Sequence, residues 1–90
     1  MPGAWSVYIA LCGDGTLYTG ITKDVEARIL KHNSGRGAAY TRSRLPLRLA
    51  YSRNGMTQRQ ALSLEARIKR LGRGEKEALI GEKAAPSLIA

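Results

Sequence analysis

The sequence predicts an α+β domain built on a small, three-stranded, mainly antiparallel sheet flanked by helices, in the order β-β-α-β-α with a further short helix. Three observations predict this class. Two strand-like segments joined by turn residues open the chain, a third lies near its middle, and segments with helical apolar spacing follow the second and third strands. Ninety residues allow one domain, which we assign to residues 1–81, followed by a short tail over residues 82–90.

The opening pair of strands is predicted to form a tight hairpin. Residues 5–12 alternate large apolar side chains with smaller or polar ones, as a half-buried strand does. Residues 13–15 supply a Gly-Asp-Gly turn, and residues 16–21 return as the second strand. Cys12 is the single cysteine of the chain, so it cannot form an internal disulfide, and we interpret it as a small core residue.

The register of this hairpin brings two tyrosines together. Tyr8 is expected to face Gly20 and Tyr18 to face Ala10, which puts both phenols on one face of the sheet with small partners beside them. A register shifted by one residue would put the phenols on opposite faces. The pattern is equally compatible with two ordinary strand tyrosines.

A helix and a loop are predicted after the hairpin. Asp24 or Thr22 can cap a helix that runs to about Asn33. A loop rich in glycine and arginine is expected next, over residues 35–44, because glycine stops the helix and no apolar periodicity follows it.

The second half of the chain is predicted to hold one strand and two helices. The strand is expected over residues 47–52, and Asn54-Gly55 is expected to form a turn after it. Residues 57–60 have the spacing of a capping box and begin the clearest helix of the chain, which is expected to end near Gly72. A short helix is expected over residues 75–80.

The charge of the chain predicts a polyanionic partner. Fifteen Lys and Arg residues face seven Asp and Glu residues, for a net charge of +8, and residues 27–64 contain no acid. Such a field favours nucleic acid through phosphate contacts and counterion release, whereas an anionic lipid surface is less favoured without a strongly amphipathic basic helix. The sequence also has no apolar run near the roughly 20 residues that span a membrane and no signal-peptide pattern, so a cytoplasmic location is expected.

Two cations on the first helix are candidate site residues. Arg28 and His32 are four residues apart, so they lie on one face of the helix, beside the apolar Val25 and Ile29. A helix arginine is commonly solvated, and a lone histidine near an apolar face is commonly structural. The spacing therefore leaves both alternatives open.

A carboxylate lies within the apolar stripe of the long helix. Glu65 falls between Ala61 and Leu62 on a helical wheel, where a charge is costly unless it is paired or holds a metal. Lys69, one turn further on, could pair with it. A single carboxylate with open water positions is also a common way to hold Mg²⁺ when a phosphate supplies further ligands.

The order of these residues resembles the GIY-YIG nuclease family. The resemblance covers residues 6–80 and is strongest to small, stand-alone bacterial members. Val7 and Thr19 depart from the isoleucines of the two signature motifs, and these changes spare the tyrosines. The positions that match family residues are Val7-Tyr8, Tyr18-Thr19-Gly20, Arg28, His32 and Glu65.

The resemblance implies a metal-dependent DNA endonuclease that hydrolyses phosphodiester bonds with an activated water. One Mg²⁺ or Mn²⁺ ion would be held by Glu65 and completed by substrate phosphate, so weak metal binding is expected without DNA. Tyr8 is the expected general base, and Tyr18 would position the water or the phosphate, with the two tyrosine roles open to exchange. Arg28 would stabilise the phosphate and, with the metal, lower the pKa of the phenol, while His32 would relay a proton or bind a phosphate.

The implied partner is DNA, with branched or damaged DNA as the expected substrate and little sequence specificity. Tyr40 could stack on a base. One alternative is a catalytically weak or inactive nucleic-acid-binding module of the same fold, and another is an RNA-binding or ribosome-associated basic protein. No membrane contact and no obligate protein partner are expected. The side chains expected to bind nucleic acid are Lys23, Lys31, Arg36, Arg42 and Arg44.

Overall fold

The computed structural model describes residues 3–84 and has the predicted α+β architecture. The predicted element order is confirmed, with one additional short helix between the first long helix and the third strand. The elements are β1 Trp5–Leu11, β2 Leu17–Thr22, α1 Val25–Asn33, α2 Ala39–Arg42, β3 Arg48–Met56, α3 Gln58–Lys69 and α4 Arg73–Ala84.

The sheet has the strand order β2-β1-β3, and both pairings are antiparallel. The predicted hairpin register is confirmed, since Tyr8 pairs with Gly20 and Ala10 pairs with Tyr18. The two tyrosines therefore share one face of the sheet. Because β1 is the central strand, Tyr8 lies in the middle of the sheet and Tyr18 lies on an edge strand.

Each face of the sheet carries its own core. Val7 and Ile9 point to the face where α3 packs and contributes Ala61 and Ile68. The opposite face holds Tyr8, Ala10, Cys12 and Leu47, with Val25 and Ile29 of α1 packed against them. Cys12 is buried, as predicted for a small core residue. The alternation of side chains along β1 thus divides the molecule into an α3–α4 side and an α1 side.

Both predicted helix caps are present. The Asp24 carboxylate accepts a hydrogen bond from the Ala27 backbone N–H at 3.1 Å and so caps α1. Thr57 and Gln60 form the reciprocal capping box that begins α3. These local signals fix where α1 leaves the hairpin and where α3 leaves β3.

Three predicted local features are wrong. Asn54-Gly55 does not form a turn, because it lies inside β3 as a bulge: two residues of β3 face Ser6 between the Trp5–Met56 and Val7–Arg53 pairs, and Gly55 takes a φ of 81°. The predicted loop over residues 35–44 contains the single turn of α2.

The third feature is the extent of the last two helices. Helix α3 ends at Lys69, three residues before Gly72, and α4 runs from Arg73 to Ala84, whereas the sequence predicts a shorter helix over residues 75–80. The part of the predicted tail beyond residue 84 lies outside the described residues. None of the described helices is long and apolar enough to cross a membrane.

Candidate active site

Three aromatic rings from three elements meet on the α1 side of the sheet. The ring centroids of Tyr8 and Tyr18 are 6.3 Å apart, and the His32 ring of α1 lies 6.3 Å from Tyr8 and 5.4 Å from Tyr18. The pairing of β1 with β2 sets the first distance, and the packing of α1 on the same face sets the other two. The structure therefore brings three of the predicted site residues into one cluster.

Tyr8 fills a space that only glycine leaves open. Its side chain is 1% exposed, and a Cβ at Gly20 would lie 2.7 Å from the phenol oxygen. Real Cβ atoms essentially never approach another atom so closely. Gly20 is therefore required by the position of the phenol, as expected for a small cross-strand partner.

His32 is fully buried, with a hydrogen-bond partner at each ring nitrogen. Tyr8 Oη lies 2.9 Å from Nε2, and Thr41 Oγ1 of α2 lies 2.9 Å from Nδ1. Burial, followed by the charges of Arg28 and Lys31, lowers the pKa of the imidazole below its ordinary value of 6.5. The ring is consequently neutral at pH 7.

The pKa of Tyr8 moves in the direction opposite to the one predicted. Burial raises the pKa of the phenol from 10.0 to about 12, and the neighbouring Tyr18 adds to the rise. Arg28 lowers the pKa, as expected from its charge, while Glu65 raises it. Arg28 and Glu65 thus lie close enough to act on the Tyr8 phenol, but desolvation outweighs the arginine.

Glu65 lies at the border of the core. Its side chain is 18% exposed, and one carboxylate oxygen lies 3.4 Å from Lys69 Nζ. The ion pair considered as an alternative is therefore present, with the lysine itself largely solvated. Among the described residues, no three His, Cys, Asp or Glu side chains lie together as a metal cluster. The site thus offers one hard oxygen ligand, which fits Mg²⁺ or Mn²⁺ only where phosphate and water supply the rest.

The loop that contains α2 covers the aromatic cluster. Tyr40 stacks on Tyr18 with ring centroids 5.8 Å apart, and the Arg44 guanidinium lies 4.0 Å from the Tyr40 ring. Tyr40 is thus already engaged with protein groups, which leaves less of its ring for a base than the sequence suggested. Arg44 also lies 3.1 Å from a carboxylate oxygen of Asp14, although its N–H does not point at that oxygen with hydrogen-bonding geometry.

The other predicted nucleic-acid contacts differ in position. Lys31 and Arg36 are exposed at the end of α1 and just after it, close to His32. Arg42 is exposed on α2 and donates from Nε to the Gly37 carbonyl oxygen at 3.4 Å. Lys23 stands apart from them, over the Trp5 ring at 5.5 Å. Lys31, Arg36 and Arg42 therefore border the α1 side of the cluster, whereas Arg44 is held by internal contacts.

A groove of the described structure lies elsewhere. It has a volume of about 560 Å³ and runs between β3 and α3, lined by arginines that include Arg59 and Arg67. At 100° per residue, Glu65 lies roughly 120–160° around the α3 axis from these arginines. The groove is therefore separate from the aromatic cluster.

Sequence reasoning missed two residues of the cluster, Gly37 and Thr41. Thr41 bonds to His32, and a Cβ at Gly37 would collide with His32 Nδ1. Both belong to the segment predicted as a loop rich in glycine and arginine. The run of ten residues rich in glycine and arginine gave no sign that its backbone packs on the histidine.

Known proteins are similar to this chain in sequence and in fold. The family model of the GIY-YIG catalytic domain matches residues 4–78. A UPF0213 protein of Staphylococcus epidermidis is 49% identical over 76 residues, which are 84% of this chain and 93% of that protein. A UPF0213 protein of Halobacterium salinarum is 48% identical over 73 residues, or 81% of this chain and 95% of that protein.

Two solution NMR structures are similar as well. The UPF0213 protein BH0048 from Bacillus halodurans is 44% identical, with a TM-score of 0.59 over 97% of this chain and 90% of that chain. The protein EF2693 from E. faecalis is 36% identical, with a TM-score of 0.59 over 88% of this chain and 84% of that chain. The family match spans the tyrosine hairpin, α1 and α3, which are the elements that build the aromatic cluster and place Glu65 near it. The chain therefore belongs to the GIY-YIG nuclease family.

Proposed function

We propose that this domain is a metal-dependent DNA endonuclease that hydrolyses a phosphodiester bond with a water molecule activated by Tyr8. The observation that carries the proposal is the buried pair of Tyr8 Oη and His32 Nε2, 2.9 Å apart. A phenol joined to a neutral imidazole can accept a proton on its oxygen while giving its own proton to the ring. This pair supplies the proton path that activation of water requires.

The raised pKa of Tyr8 determines how the proton moves. At a pKa of about 12, roughly one phenol in 100,000 is ionised at pH 7, so a stored phenolate contributes little. Instead, the attacking water gives a proton to Tyr8 Oη as the Tyr8 proton passes to His32 Nε2. The hydroxide oxygen forms the new bond to phosphorus, the bond to the leaving oxygen breaks, and that oxygen takes a proton from solvent. His32 then releases its additional proton to solvent, which restores the neutral ring.

The remaining residues act on the phosphate. Arg28 would bind the scissile phosphate and offset the charge that grows in the transition state. Tyr18, half-buried beside Tyr8, would position the water or the phosphate. Glu65 would hold one Mg²⁺ or Mn²⁺ ion, which when bound supplies Lewis-acid stabilisation of phosphate charge.

Access to the phenol requires a local movement in this proposal. Tyr8 is 1% exposed, the Tyr18 ring lies beside it at a tilt, and the Tyr40 ring stacks on Tyr18. Tyr18 lies on an edge strand and the Tyr40 side chain is 43% exposed, so both rings can turn aside while the central strand and the backbone of α2 stay in place. Substrate binding would open this aromatic cover.

The proposed substrate is branched or damaged DNA, cut with little sequence specificity, in the cytoplasm. The net charge of +8 supports a polyanionic substrate. The basic residues that border the cluster would bind phosphates. Phosphate contacts carry no sequence information directly, which supports cutting with little sequence specificity.

A plasmid-nicking assay with Mg²⁺ or Mn²⁺ tests the proposal. Tyr8→Phe keeps the ring but removes the proton-accepting oxygen, so we expect nicking to fall by at least roughly 100-fold. Glu65→Ala is expected to abolish nicking while duplex affinity, measured by fluorescence anisotropy, stays within about twofold. Tyr18→Phe, run in parallel, assigns the roles, because a base at Tyr18 would make that variant the inactive one.

The competing function is nucleic-acid binding without catalysis. It predicts wild-type protein that binds duplexes but nicks neither linear nor branched DNA with either metal. Circular dichroism of each variant establishes that loss of activity does not reflect loss of the fold. Equal nicking by Tyr8→Phe and wild type would overturn the mechanism.

A further inference from the structure

Thr41 is a buried threonine whose hydroxyl has two partners. Its side chain is fully buried, and Oγ1 donates to the Ala38 carbonyl oxygen at 2.8 Å. The same Oγ1 lies 2.9 Å from His32 Nδ1. A carbonyl oxygen can only accept, and a hydroxyl has one proton to give. Once that proton is used on Ala38, Thr41 can only accept from the histidine, and His32 Nδ1 must carry a hydrogen.

This assignment determines the state of the other ring nitrogen. Burial keeps the imidazole neutral by lowering the pKa of His32, and a neutral imidazole has a single N–H. With the hydrogen on Nδ1, Nε2 is a bare acceptor. The Tyr8 hydroxyl, 2.9 Å away, then donates to it. The hydrogen bonds run in one direction, from Tyr8 through His32 and Thr41 to the Ala38 carbonyl.

The opposite tautomer would break this chain at both ends. A hydrogen on Nε2 would donate to Tyr8 Oη, so the ring could not take a proton from the phenol. A bare Nδ1 would then take the Thr41 hydroxyl proton, and the Ala38 carbonyl would keep only the hydrogen bond from the Thr41 backbone N–H at 3.0 Å. Only the Nδ1–H tautomer makes all of these side-chain hydrogen bonds and leaves a proton acceptor facing Tyr8.

The backbone of the same segment holds the ring in place. Gly37 is buried, and a Cβ there would collide with Nδ1, so the chain closes directly on the imidazole. Gly37 and Thr41 are four residues apart and contact the same nitrogen. A flipped ring would bring its carbon edge to Thr41 Oγ1 and lose both hydrogen bonds.

We infer that Thr41 is a positioning residue, which fixes His32 in the tautomer and orientation that accept the Tyr8 proton; its catalytic consequence rests on the proposed function. Thr41 would not touch DNA, metal or water. It would act only through the histidine. The one-turn helix α2 thus serves to present this hydroxyl to the imidazole.

Nitrogen-15 NMR of the imidazole tests the inference without any activity. His32 is the single histidine of the chain, so long-range ¹H–¹⁵N spectra report on this ring unambiguously. The wild-type protein is expected to have a protonated Nδ1 and a bare Nε2 at pH 7. Thr41→Val, which replaces the hydroxyl with a methyl group, is expected to shift the ring towards the Nε2–H tautomer, and Thr41→Ser is expected to keep the wild-type pattern.

A matched control uses the other buried threonine of the described structure. Thr19 is 4% exposed, and its Oγ1 has no hydrogen-bond partner among the described residues. Thr19→Val makes the same chemical change and should leave the His32 nitrogen shifts in place. The inference would be overturned if the wild-type imidazole carries its hydrogen on Nε2. It would also be overturned if Thr41→Val folds and its His32 nitrogen shifts equal those of the wild type. The first outcome needs no variant, so the inference can be tested even if Thr41→Val does not fold.

Nicking then tests the catalytic consequence. We expect Thr41→Val to cut at least tenfold more slowly with unchanged DNA affinity, and Thr41→Ser to recover most of the rate. If wild-type protein does not nick DNA, the proposed function fails while the NMR result stands. If Thr41→Val changes tautomer but nicks at the wild-type rate, the positioning role is wrong.

Discussion

Buried histidines make the stability of a protein depend on pH. The pKa of His32 is lowered mainly by burial, so the unfolded chain binds a proton at higher pH than the folded chain does. Its contribution to stability is complete above the ordinary pKa of 6.5 and is lost as the pH falls from there through the lowered pKa. Protonation would also remove the acceptor that Nε2 offers to Tyr8.

We therefore expect the free energy of unfolding to rise as the pH increases from below the lowered pKa of His32 to the ordinary value of 6.5, and to level off above it. Urea denaturation across this range, compared with His32→Gln, isolates the effect of the imidazole. The nicking rate should follow the same direction, because only the neutral ring accepts a proton. A wild-type slope equal to that of His32→Gln would show that His32 does not titrate as inferred.

At the scale of elements, the parts fixed by local chemistry were predictable. The Gly-Asp-Gly turn and the alternation along β1 gave the hairpin register, and hence the shared face of Tyr8 and Tyr18. Asp24 and the capping box at Thr57 gave the helix starts, because a cap acts within one turn of backbone.

The parts fixed by distant contacts were not predictable. Asn54-Gly55 has the composition of a turn, yet pairing with β1 keeps it in the strand as a bulge. Helix α2 has one turn, too short for a periodic pattern. The function of Thr41 depends on His32, which precedes it by nine residues and comes near it only when the chain folds. The aromatic cluster was thus predictable from the hairpin and α1, but Gly37 and Thr41, which contact His32, were not.

The hairpin requires a residue without a Cβ at position 20, opposite the Tyr8 phenol. Gly20→Ala would place a Cβ about 2.7 Å from Tyr8 Oη, so we expect the phenol to leave His32 and nicking to fall at least roughly tenfold, as for loss of a general base. Gly74→Ala in α4 is the control, since a Cβ there meets nothing within 4 Å. Thermal unfolding, measured alongside nicking, separates a loss of stability from a displacement of the phenol. If Gly20→Ala keeps full activity, the close approach of Gly20 does not position the phenol.

At the scale of the whole molecule, charge is spread over more than one surface. Lys31 and Arg36 are exposed close to the aromatic cluster, whereas Arg59 and Arg67 line the β3–α3 groove on another face of α3 from Glu65. A duplex engaged at the cluster would contact the first pair and not the second. Net charge alone would make the two pairs equivalent.

Two double variants of equal charge distinguish binding of the duplex at the aromatic cluster from binding through net charge alone. Lys31→Gln with Arg36→Gln is expected to weaken duplex binding and to reduce the slope of log K against log salt by up to about 1.8, since each phosphate that is no longer neutralised changes the slope by roughly 0.9. Arg59→Gln with Arg67→Gln is expected to leave the slope nearly unchanged. If both double variants reduce this slope equally, either the duplex lies elsewhere on the protein or binding depends only on net charge.

The strand order β2-β1-β3 gives the two tyrosines different freedom. Tyr8 is anchored by neighbours on both sides of its strand, so its amide exchanges with solvent only when the sheet opens as a unit. Tyr18 has a ladder on one side only, and its strand can fray without unfolding the domain. In the proposed mechanism, the same fold would hold the proton-transferring ring still and would let the ring beside it yield to an incoming phosphate.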